Sequence, residues 1–440
     1  MKWIYEMMPT TIQHLMCSVK GYIINKRRYN SEFFKCLDLF ERHKVDSKVE
    51  LKKLLLAAQC TAYYQKIFSE NNINIESDDL YAEIKKLPIL DRETLVQNRD
   101  NIINKDYKGK TIMLGSSGTT AVALVFPCSI ELERKQWAIW WRYRRALGLD
   151  FDVWCGWFGG KVVVPVKNKK SPFWRYNYPG KQVMFSAIHL NTDNIESYYN
   201  EIKKRGLQWL HGHAHNITYL ASLIIEAGLP PLKCVKWVTT GSDSLFNWQR
   251  KIIKEAFCNS IVRQHYGLSE GVANISENKE GELIVDSDFG YVEFIPIDDS
   301  NLCKIIATGF YNKAFPLIRY DTGDLATIVQ ENGHYRIEQI DGRTVDCIKL
   351  PNGRRLSSTA MTYNFEFTTK VKELQFYQPD IHNIYVRIVK RIDYDLEQEK
   401  MVIRGLRERI PQEVNIHIEY VDKVERTKSG KIRYIISDIK

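Results

Sequence analysis

Residues 111–125 read TIMLGSSGTTAVALV. Apolar residues lead into a run of small and hydroxylated ones, Gly115-Ser116-Ser117-Gly118-Thr119-Thr120, and apolar residues lead out again. Backbone amides in a glycine-rich turn can converge on an anion, and neighbouring hydroxyls add neutral donors, so one reading is a cradle for polyphosphate. It is not a Walker A loop: Thr120 stands where the second glycine belongs and no lysine follows. VALVFP beyond it reads as a strand, so the loop tips a hairpin, and a plain hairpin with a polar tip is the competing reading.

Outward from that loop the pattern is mixed. VELKKLLLAAQCTAYYQKIFSEN, near 48–70, has apolar residues at helical spacing and predicts a helix; Asp91 after LPIL is placed to cap another. IELERKQWAIWWRYRRAL, near 130–147, predicts a long helix whose tryptophans at 137, 140 and 141 suit a core. Strand-like and helical runs then alternate: KVVVPV, a helix near 193–204, LQWLHG, a helix near 216–227, KWVTTG, a helix near 246–256, SIVRQHYG. Alternation of this kind predicts an α/β body with parallel pairing. From residue 281, ELIVDSDFGYVEFIPI, LCKIIATGF, LATIV and HYRIEQI are closely spaced strands and predict an antiparallel, β-rich subdomain. After about 345, a strand-rich stretch with a helix near 394–408 predicts a small α+β domain.

Composition narrows the function classes. The 440 residues, 44% hydrophobic and 26% charged, suit a folded globular protein of at least two domains. The formal charge of +10 is spread thinly; Lys26-Arg27-Arg28, Arg142 with Arg144-Arg145, and Lys167–Lys170 are short and far apart. No zinc-finger, RRM or HTH pattern joins them, which sets nucleic acid aside as a partner. Nine cysteines, none in a C-x-x-C pair, suit reduced thiols in the cytoplasm. At the N-terminus, Glu6, Pro9, Gln13 and Lys20 interrupt the apolar residues, so neither a signal peptide nor a bilayer span is expected. An amphipathic surface helix is compatible with it, packed on the protein's own body in preference to a membrane.

Downstream stand TTGSD (239–243), QHYGLSEG (264–271), RYDTGDL (319–325), DGRTVDCIKLPNGRRL (341–356) and ERTKSGKIR (425–433). In order and spacing these stretches, with the loop at 115, resemble the adenylate-forming ligase superfamily, over most of the chain. WFGGKVVVP (157–165), FSAIHL (185–190), LHGHAHN (210–216), YNKAFPLIRYDTGDL (311–325) and GYIINKRRYN near the N-terminus look most like the phenylacetate-CoA ligase branch, and within it the CapK-like proteins of capsular polysaccharide biosynthesis.

The resemblance implies an acyl-CoA synthetase-like α/β fold, with an N-terminal adenylation domain at 1–341 and a small mobile domain at 342–440. It implies ATP and magnesium, a small carboxylic acid as substrate, and attack of the acid on the α-phosphorus of ATP. The activated acyl group would pass to an acceptor amine or hydroxyl, or to the thiol of CoA; a non-catalytic nucleotide-binding scaffold is the reading from another class. Ser116, Ser117, Gly118, Thr119 and Thr120 would hold the β- and γ-phosphates, Gly241, Ser242 and Tyr266 the adenine, and Asp324 the ribose hydroxyls, with Gly267 also in the nucleotide site. Glu270 would hold magnesium and take part in catalysis, Arg343 and Arg355 would reach the ribose and phosphates, and Lys431 would be the catalytic lysine. Trp157, Phe158, His189 and His213 would line the acyl pocket. The chain departs from the family pattern at Ala121, where glycine is usual, at Val345, where the hinge aspartate is usual, and at Glu425, where proline often opens the last motif. His211, His213 and His215 alternate in a way that also invites a metal, but no acidic or cysteine ligand adjoins them in sequence.

Overall fold

A computed structural model describes residues 2–115, 124–297, 301–331, 334–343, 347–362, 370–426 and 432–439. They form two compact units: one from Met1–Asn25, Phe151–Gln264 and Asp341–Lys440, the other from Lys26–Asp150 and His265–Ile340.

In the first unit the predicted alternation becomes a parallel sheet. Its order is residues 261–264, then Trp237–Thr240, Trp209–Gly212, Cys155–Phe158 and Gln182–Phe185, with Trp174–Asn177 added antiparallel at the edge. Helices Ile195–Arg205, Ala214–Glu226 and Asn247–Ala256 connect successive strands. A sheet covered on both faces needs apolar residues throughout its strands. Phe158, Leu210, Val238 and Val262 are accordingly buried. KVVVPV is not a strand, contrary to expectation. Pro165 removes a ladder donor, and the segment is held instead through its backbone, where the Val163 carbonyl accepts from the Tyr5 hydroxyl at 2.6 Å.

Helix Thr10–Arg28 also departs from expectation: it packs on the body, but with its polar side. Gly21 is pressed so closely to the edge strand that a Cβ there would lie 1.8 Å from Asn177 Oδ1. Around it, His14 Nδ1 accepts from the Tyr176 N–H, Ser18 Oγ donates to the Tyr176 carbonyl, and Asn25 Nδ2 donates to the Pro179 carbonyl. Burial, then the charges of Arg175 and Arg205, push the His14 imidazole below its usual value, which keeps that acceptor nitrogen free of a proton.

The C-terminal part of this unit is the expected α+β segment. Strands Val371–Asp380 and Asn383–Lys390 form an antiparallel pair, flanked in parallel by Ile435–Ser437 and Asn415–Tyr420, with helix Leu396–Arg407. One hydrophobic cluster runs from Phe158 and Leu223 through Phe376 and Ile435. Two polar anchors reinforce it. Glu226 pairs with Lys372 at 2.6 Å and accepts the Ile392 N–H at 3.0 Å. Tyr434 meets Phe246 edge-on at 4.8 Å and accepts from Gln249 Nε2 at 2.8 Å.

The second unit holds the antiparallel strands. Residues 265–267 pair with Asn274–Glu277, then come Leu283–Val285 and His334–Arg343, and beyond them Tyr320–Glu331, Leu302–Gly309 and Gly290–Pro296. Helix Ile130–Ala146 follows the hairpin Thr111–Gly115 and Val125–Ser129, which forms as expected. The helix expected over 48–70 is two, Ser47–Gln59 and Ala62–Glu70. Thr61 makes the break, its hydroxyl accepting from the Tyr64 N–H as an N-cap.

Candidate functional site

In the second unit, Tyr266 closes its strand and its hydroxyl donates to Asp324 Oδ2 at 2.9 Å. Asp324 owes its position to a tight turn at the start of strand Tyr320–Glu331. Gly323 there adopts φ +71, its N–H donates to Asp321 Oδ1, and the Asp324 N–H donates to Thr322 Oγ1, whose own proton goes to the Ile305 carbonyl. Burial, then the Asp324 carboxylate, pushes the Tyr266 phenol far above its ordinary value, so it remains a donor.

Glu270 lies on the loop after Tyr266, only 6% exposed and close enough that its charge contributes to the Tyr266 shift. Helix Ile130–Ala146 seats this loop: Gln136 Nε2 donates to the Leu268 carbonyl at 2.8 Å, and Trp140 Nε1 donates to Asn274 Oδ1 at 2.9 Å. Gly271, at φ +65, lies against Leu132, where a Cβ would approach within 2.6 Å. Tyr266, Gly267 and Glu270 therefore sit on one braced strand end and loop of this unit, to which Asp324 is hydrogen-bonded from strand Tyr320–Glu331.

In the first unit, Gly241 follows its strand and its N–H donates to the Gly212 carbonyl at 3.2 Å; Ser242 is held at φ +74. The next residue, Asp243, accepts from the backbone N–H groups of Ala214 and His215 and pairs with His215 Nδ1 at 2.6 Å. Sequence reading singled out neither this aspartate nor its pairing; the signal was the aspartate that ends TTGSD. Burial alone would raise the Asp243 carboxyl, but the His215 charge and hydrogen bond, the His213 charge and the Ala214 N–H outweigh it and hold it down at about 2, from 3.8. This contribution to stability is complete above pH 3.8 and fades as pH falls toward about 2. Asp243→Ala removes the cap of helix Ala214–Glu226 together with a charged hydrogen bond, and is expected to cost about 2–4 kcal/mol in denaturant unfolding at neutral pH.

Of the expected acyl-pocket residues, Phe158 is fully buried and stacks on Phe185 at 4.6 Å. His213 is buried 5.4 Å from the His215 ring, and its N–H donates to the Phe158 carbonyl. His189 Nδ1 shares a 2.8 Å hydrogen bond with Ser186 Oγ, and its ring stacks on Phe173. Trp157 is half-buried, its ring lying over Gly159. His211 is taken by Thr239, and among the described residues no group of three or more His, Cys, Asp or Glu could hold a metal.

Arg343 ends strand His334–Arg343, after Gly342 at φ +87. Arg355 lies in the two-residue strand Arg355–Leu356, paired with Lys349. Ser116, Ser117, Gly118, Thr119, Thr120, Ala121, Val345 and Lys431 lie outside the described residues. The segments flanking Lys431 are described: Arg426 bridges to Ile432, and Tyr434 packs on Phe246 and Gln249, with the Asp243 carboxylate near enough to raise its phenol further beyond the effect of burial.

This fold is that of the adenylate-forming ligases. A 2-hydroxyisobutyryl-CoA ligase in the postadenylation state, in complex with R3-HIB-AMP, shares it at a TM-score of 0.67 and 13% identity, over 89% of each chain. An anthranilate CoA ligase in complex with anthranoyl-AMP shares it at a TM-score of 0.53 and 14% identity, over 73% of this chain and 65% of that one. In sequence, the chain is 30% identical over 457 residues to the protein CapK of Staphylococcus aureus, covering 100% of both, and residues 348–438 match the CapK C-terminal domain. The chain belongs to the CapK family.

Proposed function

We propose that this chain activates a carboxylic acid with ATP, forming an acyl adenylate and pyrophosphate, and then transfers the acyl group to an acceptor. The observation that carries this reading is the hydrogen bond between Tyr266 and Asp324. An adenosine seat calls for an aromatic face and a two-oxygen acceptor for the vicinal diol, and here they are held together beside an acidic loop.

The carboxylate oxygen of the acid attacks the α-phosphorus, the bond from that phosphorus to the bridging oxygen breaks, and pyrophosphate leaves with the electron pair. Both reactants are anionic, so charge neutralisation and positioning do most of the catalysis. Lys431 places a point charge between carboxylate and α-phosphate, Ser116 to Thr120 hold the outer phosphates, and Arg343 and Arg355 reach the ribose and phosphate region. Gly241, Ser242 and Gly267 line the base. Glu270, nearly buried beside Tyr266, is a hard oxygen donor that fits magnesium, which would neutralise phosphate charge.

In the second step the acceptor's nucleophile attacks the acyl carbon, loses its proton, and AMP departs. The acceptor in this reading is an amine or hydroxyl of a surface polysaccharide precursor. The fold neighbours are CoA ligases by name, which favours a thiol as the second reading. Trp157, Phe158, His189 and His213 surround the acyl group. Residues 342–440 turn relative to 1–341 about Gly342-Arg343, and the left-handed backbone of Gly342 supports a pivot there.

With ATP and magnesium, a panel of sugar acids and aromatic acids should give pyrophosphate with a subset only. Adding an amino sugar to a competent acid should yield an amide, and adding CoA should yield no thioester. A CoA thioester would assign the thiol reading, and pyrophosphate from no acid at all would count against activation.

A further inference from the structure

The helix Thr10–Arg28 is inside out. Gln13, His14, Ser18 and Asn25 face the body, each in a hydrogen bond to it, Gln13 accepting from Arg175 Nε. Ile12, Leu15, Met16, Val19, Tyr22 and Ile23, at the spacing of one helical face, lie on the exposed side, from 37% exposed at Met16 to 62% at Leu15. The preceding helix, Lys2–Met7, exposes Trp3, Ile4 and Met7 in turn, Trp3 at 71%. A surface helix ordinarily buries its apolar stripe. An apolar face of this extent turned away from the body marks a site of association.

Charge identifies the medium. Lys20 and Lys26 are exposed on the same helix, and Glu6 is the only acid in residues 1–31. The neighbouring segment 161–170, gripped by Tyr5 at the Val163 carbonyl, exposes Val162 and Val166 among Lys161, Lys167, Lys169 and Lys170, again without an acid. A second copy docked about a two-fold axis would set these lysines against themselves. An anionic lipid surface satisfies both features at once, taking apolar side chains at the acyl boundary, Trp and Tyr at the headgroups and lysines at the phosphates. We propose that this face seats the protein on an anionic phospholipid bilayer, with the Thr10–Arg28 helix lying in the plane of the surface. No helix among the described residues is long and apolar enough to cross a membrane.

Flotation of the full chain with vesicles tests this without nucleotide or acid, so the outcome is independent of the activity proposed above. Binding to vesicles of equimolar phosphatidylcholine and phosphatidylglycerol should exceed binding to phosphatidylcholine alone by about tenfold or more. A Leu15→Ser, Val19→Ser, Ile23→Ser triple variant, changed only on the exposed side, should keep its thermal midpoint and lose about tenfold or more in partitioning. Lys20→Gln with Lys26→Gln should weaken binding to the anionic vesicles and leave the weak binding to the neutral ones unchanged. Absence of binding to the anionic vesicles, or equal binding by the triple variant, overturns the proposal. So does a dimer in sedimentation that the triple variant splits, with no vesicle binding by either protein.

Discussion

Lys431→Ala is expected to slow acid-dependent pyrophosphate release by about 10²–10³-fold, the range measured for removal of a single preorganised charge-stabilising donor. ATP affinity, measured separately by titration calorimetry, should remain within about threefold, because in the proposed step the lysine acts where charge builds up during reaction and not on the resting nucleotide. Lys431→Arg should rescue little, since a planar fork does not replace a compact ammonium. An unchanged rate in the alanine variant would remove Lys431 from the chemistry. A parallel loss of ATP binding would make it a nucleotide anchor instead. Tyr434, just before strand Ile435–Ser437, is held by Gln249 and Phe246 without the lysine, so the effect should be clean.

The second large effect is expected at Asp324. Asp324→Ala removes the acceptor that would take both ribose hydroxyls. At about 1.5–3 kcal/mol for each hydrogen bond to a charged group, nucleotide affinity should fall by about a hundredfold or more. The same change takes from Tyr266 its carboxylate partner, so a modest loss of stability should accompany it. Tyr266→Phe separates the two effects, keeping the ring while deleting the hydroxyl. It should retain most of the affinity if the ring face carries the base. Equal ATP affinity in Asp324→Ala and the parent would show that the Tyr266–Asp324 pair is a structural contact and would withdraw the adenosine seat.

Much of the fold was legible because periodicity is local. The alternation of LQWLHG, KWVTTG and SIVRQHYG with helices became parallel strands, and the run from residue 281 became antiparallel ones. Asp91 caps its helix as expected, accepting from the Thr94 N–H at 2.7 Å. What failed was decided by tertiary partners. KVVVPV has strand composition, but Pro165 and the Tyr5 hydrogen bond give it another role. The N-terminal helix has apolar residues at the right spacing, yet beneath it lie the Tyr176 backbone groups and the Pro179 carbonyl, which Ser18, His14 and Asn25 meet. For the site, sequence order named Tyr266 and Asp324 but could not say that they are hydrogen-bonded. It also passed over Asp243, whose importance comes from helix Ala214–Glu226 starting against it.

Among the described residues the strand Trp174–Asn177 ends its sheet with one side unpaired by any other strand, and the side chains of the Thr10–Arg28 helix stand in for a neighbour at Tyr176. A chain shortened to begin after that helix would present an open ladder, ready to template another molecule. The helix thus occupies the place where an intruding strand would pair, and its removal is expected to promote self-association.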